Sequence, residues 1–506
     1  MSLPLQITAD GKSGLQSQIF EQVRSMILNG TLRAGELLPA TRTLGEQLGV
    51  SRNTITFAYE RLAAEGYVEL RKSIGAIVAL QIPEAGLFHS AFSDPRAPIV
   101  HNIAYPHRGE PVDELRSQAL VNPHSRRLDA DFWVGRPDPH SFPLKTWAKL
   151  VAKRLKSAGS ALTEYRDPAG LTDLRQAIAD HLRPARGISA SVDQIFIVGG
   201  CQDGLNLMCR MMVRPGSDAV IETPCYQGAA YLFESYGAKL RPIRVDEKGL
   251  VTSSLPDVKN AIAYVTPSHQ YPLGVTLSLD RRLELIAWAE RTNSYILEDD
   301  YDSDFRFSGA PVAALKGLDR VERVIYVGTF SKCMGAGLRL GYVVLPSHLV
   351  TKARHLKTLM NNGQPWLEQA ALADFMTSGS YERHLRGIRR LYLARRNALL
   401  AALKQYFGES EVIGDKAGMH LVWRVPKHLP PAVEIEARGL AAGVGVYTIG
   451  SGGAVNFGTS AESDRLLVLG FSSLSEREIA IGISQLATAL GKNAKPRTSS
   501  ARLSTR

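Results

Sequence analysis

Lys332 stands in a short segment whose other side chains could hold a phosphate. The segment, residues 326–342, reads YVGTFSKCMGAGLRLGY, with Thr329 and Ser331 just before the lysine and Arg339 seven residues after it. A primary amine can condense with an aldehyde, whereas hydroxyl and guanidinium groups bind phosphate. The segment therefore predicts a site for an aldehyde cofactor that carries a phosphate group.

Three further clusters of polar or aromatic residues each follow a short apolar run. They are Gly200, Cys201 and Gln202 after IFIV, Tyr226 after AVIETP, and Asp299 and Tyr301 after YIL. A glycine before a helix presents free N–H groups to phosphate, a tyrosine ring can stack on another ring, and a carboxylate can hold a pyridinium proton. Each cluster taken singly is also compatible with a structural role. Together with Lys332 as the Schiff-base lysine, they match the needs of pyridoxal 5′-phosphate (PLP).

The elements that must position these residues alternate along the chain from about residue 129. Apolar runs such as AVIETP, AIAYVTP, YILEDD and VIYVGTF are separated by helical patterns. Strands interleaved with helices predict an α/β fold with a mostly parallel sheet. Ligands of such sheets bind beyond the carboxyl ends of the strands, which is where the polar clusters fall.

The first eighty residues have a different pattern, in which three helices precede two β-rich runs. Apolar residues at helical spacing predict a first helix that stops at Asn29-Gly30 and a second within residues 39–50. Ser51 is the expected N-cap of a third helix. The following YVELRKSIGAIVAL predicts two strands around a glycine-bearing turn. This order indicates an α+β winged helix-turn-helix, in which the start of the third helix meets phosphates and base edges.

Residues 12–80 resemble the winged helix-turn-helix of the GntR superfamily, most specifically in LPATRTLGEQLGVSRNTITFAYERLAAEGYVE. The resemblance implies a DNA-contacting set made of Arg42, Ser51, Arg52, Asn53 and Thr54, with Arg71 and Gly75 in the wing. Ile74 and Ala76 flank the wing glycine where the family has smaller or more polar residues.

Residues from about 130 to 488 resemble the class I/II aminotransferases, which are fold-type I PLP enzymes. The resemblance implies that Asp299 binds the pyridine nitrogen, Tyr301 the ring hydroxyl and Tyr226 the ring face. It places at the phosphate Thr329, Ser331, Arg339 and the turn of Gly200, Cys201 and Gln202. Tyr165 matches a tyrosine that reaches the phosphate of the neighbouring subunit, which implies a head-to-tail homodimer.

The resemblance fails where these enzymes bind the carboxylate of an amino acid. Val468 stands where they carry an arginine clamp, and Gly228 where GABA-sensing relatives carry an arginine. A separate departure is Tyr271, which stands where the enzymes place an asparagine that binds the ring hydroxyl. Each lost charged hydrogen bond costs about 1.5–3 kcal/mol. Efficient transamination of ordinary α-amino acids is therefore not expected, although Arg136 could substitute from another element.

A winged helix joined to an aminotransferase-like domain is the arrangement of the MocR subfamily of GntR regulators, which the whole chain resembles. The expected organisation is a DNA-binding domain at 12–80, a linker at 81–128, a PLP-binding domain at 129–490 and a disordered basic tail at 491–506. The resemblance implies a regulator that binds promoter DNA and senses PLP itself, or an amine or amino acid that reacts with bound PLP. Of these effectors we favour PLP. The alternative is an active aminotransferase with a DNA-binding extension.

The composition excludes other classes of protein. Hydrophobic residues make up 44% and charged residues 22% of the 506 residues, and apolar runs stay well short of the roughly 18 residues of a membrane span. Neither a secretory signal nor a metal-binding or disulfide-forming cysteine pattern is present. The net charge of +11 would favour an anionic partner, but residues 1–80 hold eight Lys or Arg against seven Asp or Glu, so the charge is weak support for DNA binding. We therefore expect a cytoplasmic protein with no membrane partner and no metal.

Overall fold

The computed structural model describes residues 3–8, 14–81, 128–308, 313–458 and 462–491. The chain divides into two compact units, Met1–Tyr105 and Pro106–Arg506. The predicted linker and the predicted basic tail lie almost wholly outside the described residues. The division between the units falls inside the segment that the sequence predicts to be a linker.

The first unit contains three helices and a two-stranded sheet. Its elements are α1 (Leu15–Leu28), α2 (Thr41–Leu48), α3 (Arg52–Ala64), β1 (Val68–Arg71) and β2 (Gly75–Val78). Helix α2 ends at Gly49, whose φ of +64° is the left-handed conformation that glycine adopts readily. Strands β1 and β2 pair antiparallel, with Val68 opposite Val78. The predicted winged helix-turn-helix is confirmed.

A single apolar cluster holds this unit together. Leu44 of α2 and Ile55 and Leu62 of α3 are fully buried in it. Each such side chain contributes roughly 1.5–3 kcal/mol relative to exposure. Leu3 also packs there, and its carbonyl accepts a hydrogen bond of 2.7 Å from Gln47. Residues before the predicted domain start at 12 thus belong to this core.

The second unit is built of strands and helices in alternation. Its strands are β3 (Ala130–Asp131), β4 (Ile195–Val198), β5 (Asp218–Thr223), β6 (Cys225–Tyr226), β7 (Lys239–Asp246), β8 (Gly249–Leu250), β9 (Ile262–Val265), β10 (Tyr295–Asp300), β11 (Val324–Thr329), β12 (Gly341–Val344), β13 (Val412–Ile413), β14 (His420–Arg424), β15 (Val444–Gly445), β16 (Tyr447–Thr448), β17 (Ala454–Val455) and β18 (Leu466–Gly470). Its helices are α4 (Leu144–Lys156), α5 (Thr172–Arg186), α6 (Cys201–Met212), α7 (Gln227–Ser235), α8 (Leu279–Arg291), α9 (Leu315–Leu318), α10 (Val350–Asn361), α11 (Trp366–Thr377), α12 (Ser380–Phe407), α13 (Ala432–Ala441) and α14 (Glu476–Ala489). Within the described ranges, these helices are all too short or too polar to cross a membrane.

The main sheet has the strand order β4-β12-β11-β10-β9-β5-β7-β8. Strand β10 runs parallel to β11 and β9, and β5 runs parallel to β9 and β7. Strand β12 is antiparallel to both of its neighbours, and the short β8 is antiparallel to β7. The prediction of a mostly parallel sheet is confirmed. The carboxyl ends of β5, β9, β10 and β11 therefore share one edge.

Apolar clusters cover both faces of this sheet. Successive side chains of a strand point to opposite faces, and β4 illustrates the consequence. Its Ile195 and Ile197 pack in one buried cluster, while Phe196 and Val198 pack in another. A sheet buried on both faces explains why its strands read as continuous apolar runs instead of alternating ones.

A second, smaller sheet carries the C-terminal part of this unit. Its strand order is β13-β14-β18-β16, and its pairs are antiparallel. Val422 of β14 lies opposite Val468 of β18, and both side chains are buried. Helices α12 and α14 pack against one another in the same part of the unit.

Candidate functional site

The predicted cofactor residues lie at the shared carboxyl edge of the main sheet. Asp299 is the last residue but one of β10, and Thr329 ends the neighbouring β11. Gly200 joins β4 to α6, and Tyr226 follows β5 after a short turn. Because β10 and β11 are parallel and adjacent, Asp299 pairs with Val327, which places Lys332 just beyond the same edge.

The Asp299 carboxylate is held on one side only. Its Oδ2 accepts hydrogen bonds from the Tyr264 hydroxyl at 2.8 Å and from the Cys201 thiol at 3.1 Å. Its Oδ1 is buried and has no hydrogen-bond partner among the described residues. Burial raises the pKa of Asp299 to about 6, although the Tyr264 and Cys201 hydrogen bonds act in the opposite direction. At neutral pH the group is mainly ionised, and one oxygen remains available to a donor.

Lys332 presents a buried amine with a single described hydrogen bond. Its Nζ donates to the Gly135 carbonyl at 3.0 Å. Burial lowers the pKa of Lys332, and the negative charge of Asp302 is the largest effect that opposes this shift. A lowered pKa increases the fraction of neutral amine, which is the nucleophilic form. Gly135 permits the contact, because a Cβ atom there would lie 2.6 Å from the Lys332 Nζ.

Three tyrosine rings stand edge to face beside this amine and carboxylate. The Tyr226 and Tyr271 centroids are 6.0 Å apart at 88°, and those of Tyr271 and Tyr301 are 5.9 Å apart at 86°. The Tyr271 hydroxyl donates to the Gly452 carbonyl. A Cβ atom on Gly228 would lie 2.4 Å from the Tyr226 ring. An arginine at residue 228 would therefore collide with the ring that is predicted to stack on the cofactor.

The predicted phosphate-binding residues combine a helix N-terminus with a guanidinium. Gly200 precedes α6 with a φ of +101°, and a Cβ atom there would lie 3.3 Å from the Arg339 Nη1. The Thr329 hydroxyl accepts a hydrogen bond of 3.1 Å from the backbone N–H of Ser331. Helix N-termini and guanidinium groups both favour phosphate. The sequence prediction for this group of residues is thus compatible with their placement.

Gln202 and Tyr165 complete the set of residues that are predicted at the phosphate. The Gln202 side chain donates to the Gly228 carbonyl at 3.1 Å. Tyr165 is 88% exposed, so its ring is not enclosed by the described part of the chain. The role of Tyr165 toward a neighbouring subunit stays a prediction.

A buried histidine and aspartate pair adjoins Tyr301, and the sequence analysis did not assign it. His269 Nδ1 lies 2.9 Å from Asp302 Oδ2 and 3.2 Å from the Tyr301 hydroxyl, while His269 Nε2 faces the Gly414 carbonyl at 3.3 Å. The His420 ring centroid is 5.0 Å from that of His269. His269 lies in the loop TPSHQYPLG. A histidine in a loop beside the predicted site was the sequence signal that could have indicated its role. Its partner Asp302 comes from a different strand end.

Neither Val468 nor Arg136 offers a free group for a substrate carboxylate. Val468 is fully buried among apolar side chains that include Tyr271 and Val134. Arg136, the candidate substitute, forms an ion pair of 3.1 Å with Asp131. Asp131 also accepts a hydrogen bond from the Tyr447 hydroxyl. The guanidinium of Arg136 is therefore already engaged by a carboxylate of its own chain.

In the first unit, the predicted DNA-contacting residues surround the start of α3. The Ser51 hydroxyl caps this helix by accepting from the Thr54 N–H at 3.2 Å, and Asn53 is exposed. Arg52 Nε donates to the Thr41 hydroxyl at 3.3 Å. Arg42 pairs with the exposed Glu46 at 3.1 Å and is itself 83% exposed. These polar groups remain accessible to a DNA groove.

The predicted wing is the turn between β1 and β2. Arg71 lies opposite Gly75 in the strand pair and forms an ion pair of 2.8 Å with Glu69. Gly75 has a φ of +120°, a conformation that side-chain-bearing residues rarely adopt. Ile74 beside it is 58% exposed. The turn therefore presents an arginine and an apolar tip to solvent.

Comparison with known proteins defines the class of protein. Residues 15–78 match the family of bacterial regulatory proteins of the gntR type, and residues 134–467 match aminotransferase class I and II. The structure of Pyrococcus horikoshii kynurenine aminotransferase, solved in complex with PMP and kynurenine, superposes on 76% of this chain and 95% of its own with a TM-score of 0.65 and 27% identity. The chain is thus a helix-turn-helix protein with an aminotransferase domain of a family that typically depends on PLP.

Full-length relatives identify the subfamily. The chain is 33% identical to the probable rhizopine catabolism regulatory protein MocR of Rhizobium meliloti, over 96% of this chain and 95% of the relative. It is also 33% identical to the pyridoxine biosynthesis transcriptional regulator PdxR of Corynebacterium glutamicum, over 78% of this chain and 80% of the relative. The chain belongs to the MocR subfamily of GntR transcription regulators.

Proposed function

We propose that this transcription regulator binds PLP through Lys332 and that occupancy of this site changes its affinity for promoter DNA. The observation that carries the proposal is the Asp299 carboxylate. Its Oδ2 is held by two donors while its buried Oδ1 has none among the described residues. A pyridinium N–H is a donor that suits such an oxygen, since a buried acceptor without a partner is costly. The nearby Lys332 amine suits the cofactor's aldehyde.

The other residues of the site would hold and orient this cofactor. Tyr226 would cover one face of the ring, and Tyr301 would contact the ring hydroxyl. Arg339 and the backbone at Gly200 would bind the phosphate, with Thr329, Ser331 and the turn of Cys201 and Gln202 beside them. When bound, PLP supplies an electron-withdrawing ring and a carbon that accepts amines. The chain supplies the amine, the carboxylate and a buried surrounding.

PLP itself is the signal that we favour over an amino acid. Gly228 and Val468 replace the two arginines that would bind a substrate carboxylate, and Arg136 is engaged by Asp131. An amine without a carboxylate that reacts with bound PLP is the other candidate effector. Either ligand regulates only if it binds one arrangement of the protein better than another.

We also propose that the protein acts as a head-to-tail homodimer. Tyr165 is 88% exposed, which leaves it accessible to the phosphate site of a second copy. Two winged domains would then read paired half-sites in promoter DNA. Analytical ultracentrifugation of the wild-type protein tests the dimer. Mixing subunits that carry Tyr165→Phe with subunits that carry Lys332→Ala tests whether Tyr165 acts across the interface.

Fluorescence anisotropy tests the proposed function. DNA from the region upstream of the protein's own gene is titrated with apo-protein and with PLP-loaded protein at one fixed salt concentration, because salt alone changes such affinities. A change in specific affinity or stoichiometry with PLP supports PLP as the signal. An unchanged affinity with a retained PLP absorbance band makes PLP a fixed prosthetic group, and amines are then tested.

The alternative function, transamination, makes a different demand on the site. It needs a group that binds the substrate carboxylate, for which the described residues offer no arginine at residues 228 or 468. Turnover of an amino acid with a keto acid, measured together with loss of specific DNA binding, would favour the enzyme. Absence of turnover with intact DNA binding would favour the regulator.

A further inference from the structure

We propose that Asp302 and His269 are positioning residues that hold the Tyr301 hydroxyl so that its proton points at the ring hydroxyl oxygen of the cofactor. The inference rests on the proposed PLP site and adds two residues to it. It concerns the orientation of one proton, and neither residue needs to touch the cofactor. Asp302 and Tyr301 both lie within hydrogen-bond distance of the same nitrogen, since His269 Nδ1 is 2.9 Å from Asp302 Oδ2 and 3.2 Å from the Tyr301 oxygen.

The hydrogen-bond partners of the His269 ring favour a proton on both ring nitrogens. Its Nδ1 faces a carboxylate oxygen of Asp302, and its Nε2 faces the carbonyl of Gly414 at 3.3 Å. Both of these partners are acceptors, so both ring nitrogens are satisfied only when each carries a proton. The side chains of His269 and Asp302 are each 1% exposed, and their opposite charges therefore compensate one another out of water.

This arrangement leaves the Tyr301 hydroxyl with one direction for its own proton. The single Nδ1–H of His269 is shared between Asp302 Oδ2 at 2.9 Å and the Tyr301 oxygen at 3.2 Å, so the Tyr301 oxygen can only accept from it. The hydroxyl proton must then point to another acceptor. The ring hydroxyl oxygen of PLP, which Tyr301 is proposed to contact, is such an acceptor. A neutral His269 with its lone pair at Nδ1 would instead attract the same proton away from the cofactor.

Two glycines next to the pair leave space for the imidazole of His269. A Cβ atom on Gly418 would lie 2.2 Å from His269 Cε1 and 2.5 Å from Asp302 Oδ2, and one on Gly274 would lie 2.9 Å from His269 Nε2. Side chains at these positions would displace the ring. Glycine at both positions therefore leaves the space that the imidazole occupies when Nδ1 reaches Tyr301.

The charged and titratable groups around this pair are consistent with a proton on His269. Burial lowers the His269 pKa, but the charge and hydrogen bond of Asp302 raise it above its ordinary value overall, and Arg306 opposes this. Burial, with the nearby His269 charge, lowers the pKa of His420 to about 3, so that ring stays neutral. Tyr301 itself faces Asp302, Tyr271, Asp299 and Glu222, which with burial raise its pKa and keep it protonated.

Absorbance titration of the PLP-loaded protein tests the role. A donor on the ring oxygen stabilises negative charge there, so the nitrogen that joins Lys332 to PLP loses its proton at a lower pH. Replacing His269 with Gln should raise the midpoint of this spectral titration by about one pH unit, a tenfold change in proton affinity. Asp302→Asn should raise it by less, because loss of the Asp302 charge also acts directly on the Lys332 nitrogen in the opposite direction. Tyr301→Phe should raise it at least as far as His269→Gln. Asp304→Asn, two residues along the same loop, should leave it unchanged.

A double-mutant cycle separates positioning from general structural damage. If His269 acts through Tyr301, His269→Gln should add no further shift to a protein that already carries Tyr301→Phe. Additive shifts of these two substitutions, or an unchanged midpoint in a His269→Gln protein that retains PLP, would overturn the proposal. A stoichiometric divalent metal bound by His269, Asp302 and His420, whose ligand atoms lie within 4.8 Å of one another, would also overturn it.

A measurement on the wild-type protein covers the case in which the variants fail to fold. Proton NMR of the PLP-loaded protein should give exchange-protected imidazolium signals downfield of the amides at neutral pH, and their absence would overturn the proposal. The visible band of Lys332-bound PLP distinguishes the two hypotheses. Its absence in the wild-type protein contradicts the PLP site itself, whereas an unshifted band in the variants contradicts only the role of His269 and Asp302.

Discussion

The two units place their functional residues in opposite environments. In the winged helix-turn-helix, Arg42 and Asn53 are exposed, and Arg42 pairs with a partner that is itself exposed. In the aminotransferase-like unit, Asp299 and Asp302 are buried and held by side chains from other strand ends. Exposed polar groups are accessible to the phosphates of a polyanion. Burial raises the pKa of Asp299, and shifted pKa values of this kind are typical of sites that carry out covalent chemistry.

This contrast predicts that each unit can be damaged without the other. The largest effect is expected for Lys332→Ala, because no other residue of the proposed site can bind the PLP aldehyde. The purified variant should lack the visible absorbance band of lysine-bound PLP completely, whereas the exposed Lys248→Ala should retain it. Basal DNA affinity of Lys332→Ala should equal that of the apo-protein. A band that persists in Lys332→Ala would contradict the assignment of this lysine.

The converse damage is predicted for the core of the first unit. Leu44 is fully buried there, and truncation of such a leucine to alanine typically costs about 2–5 kcal/mol. Leu44→Ala should therefore lower the unfolding temperature of the winged unit and weaken DNA binding while the PLP band stays intact. Leu80→Ala, at a position that is 70% exposed, is the matched control with little expected effect. Loss of the PLP band in Leu44→Ala would contradict the independence of the two units.

A smaller change is expected when one exposed side chain on α3 is removed. Among the described residues, the Arg52 side chain has only a long hydrogen bond of 3.3 Å to Thr41, so Arg52→Ala should weaken specific DNA binding by about 1–3 kcal/mol without changing PLP content. Arg61 on the same helix pairs with Glu65 at 3.0 Å and lies over the Phe20 ring. Arg61→Ala therefore serves as the control for loss of one positive charge. Equal affinity of the Arg52 variant for promoter and random DNA, unchanged from wild type, would exclude this recognition role.

The mildest test varies pH instead of sequence. The Asp299 pKa, raised by burial to about 6, means that the carboxylate becomes protonated as the pH falls below that value. PLP affinity of the apo-protein should then fall by up to about tenfold per pH unit below pH 6. Asp299→Asn should bind PLP weakly at every pH. A wild-type affinity that is flat between pH 5 and 7 would contradict a role for ionised Asp299.

The same raised pKa has a defined sign for folding stability. Between the ordinary pKa of an aspartate and about pH 6, the native apo-protein binds more protons at Asp299 than the unfolded chain does. The contribution of this group to the free energy of unfolding is therefore fully present at low pH and is lost as the pH rises through about 6. Asp299→Asn should remove that dependence from the large unit.

The site residues that PLP chemistry requires by type could be predicted from the sequence. The residues that hydrogen-bond to them in the folded chain could not. Lys332, Asp299 and Tyr301 follow strand ends, and parallel strands bring such ends to one edge. Tyr264 lies inside the apolar run AIAYV, where nothing local marks its hydrogen bond to Asp299. Cys201 was expected at the phosphate turn, and its thiol also reaches Asp299. Such contacts depend on distances between strands that are far apart in the chain.

Fold class and the winged domain were predicted well because they rest on local patterns. Helix ends at Asn29 and Gly49 and the cap at Ser51 are set by residues within a few positions of them. The packing of Leu3 and Leu5 on the winged core was not predicted, since two leucines outside a helical repeat give no periodic signal. Side-chain partners such as Asp131 for Arg136 likewise require the folded chain.

The Asp299 carboxylate, of which only one oxygen accepts hydrogen bonds from described residues, has a consequence for the abundance of the protein. A buried oxygen without a donor disfavours the folded apo-protein, and a ligand that provides the donor stabilises only the folded form. At a hundredfold excess of ligand over its dissociation constant this linkage is worth about 2.7 kcal/mol. Degradation acts on unfolded chains. A cell that lacks PLP would therefore contain fewer copies of the regulator, and a smaller fraction of them would have PLP bound. The supply of PLP would then determine the amount of the protein as well as its ligand occupancy.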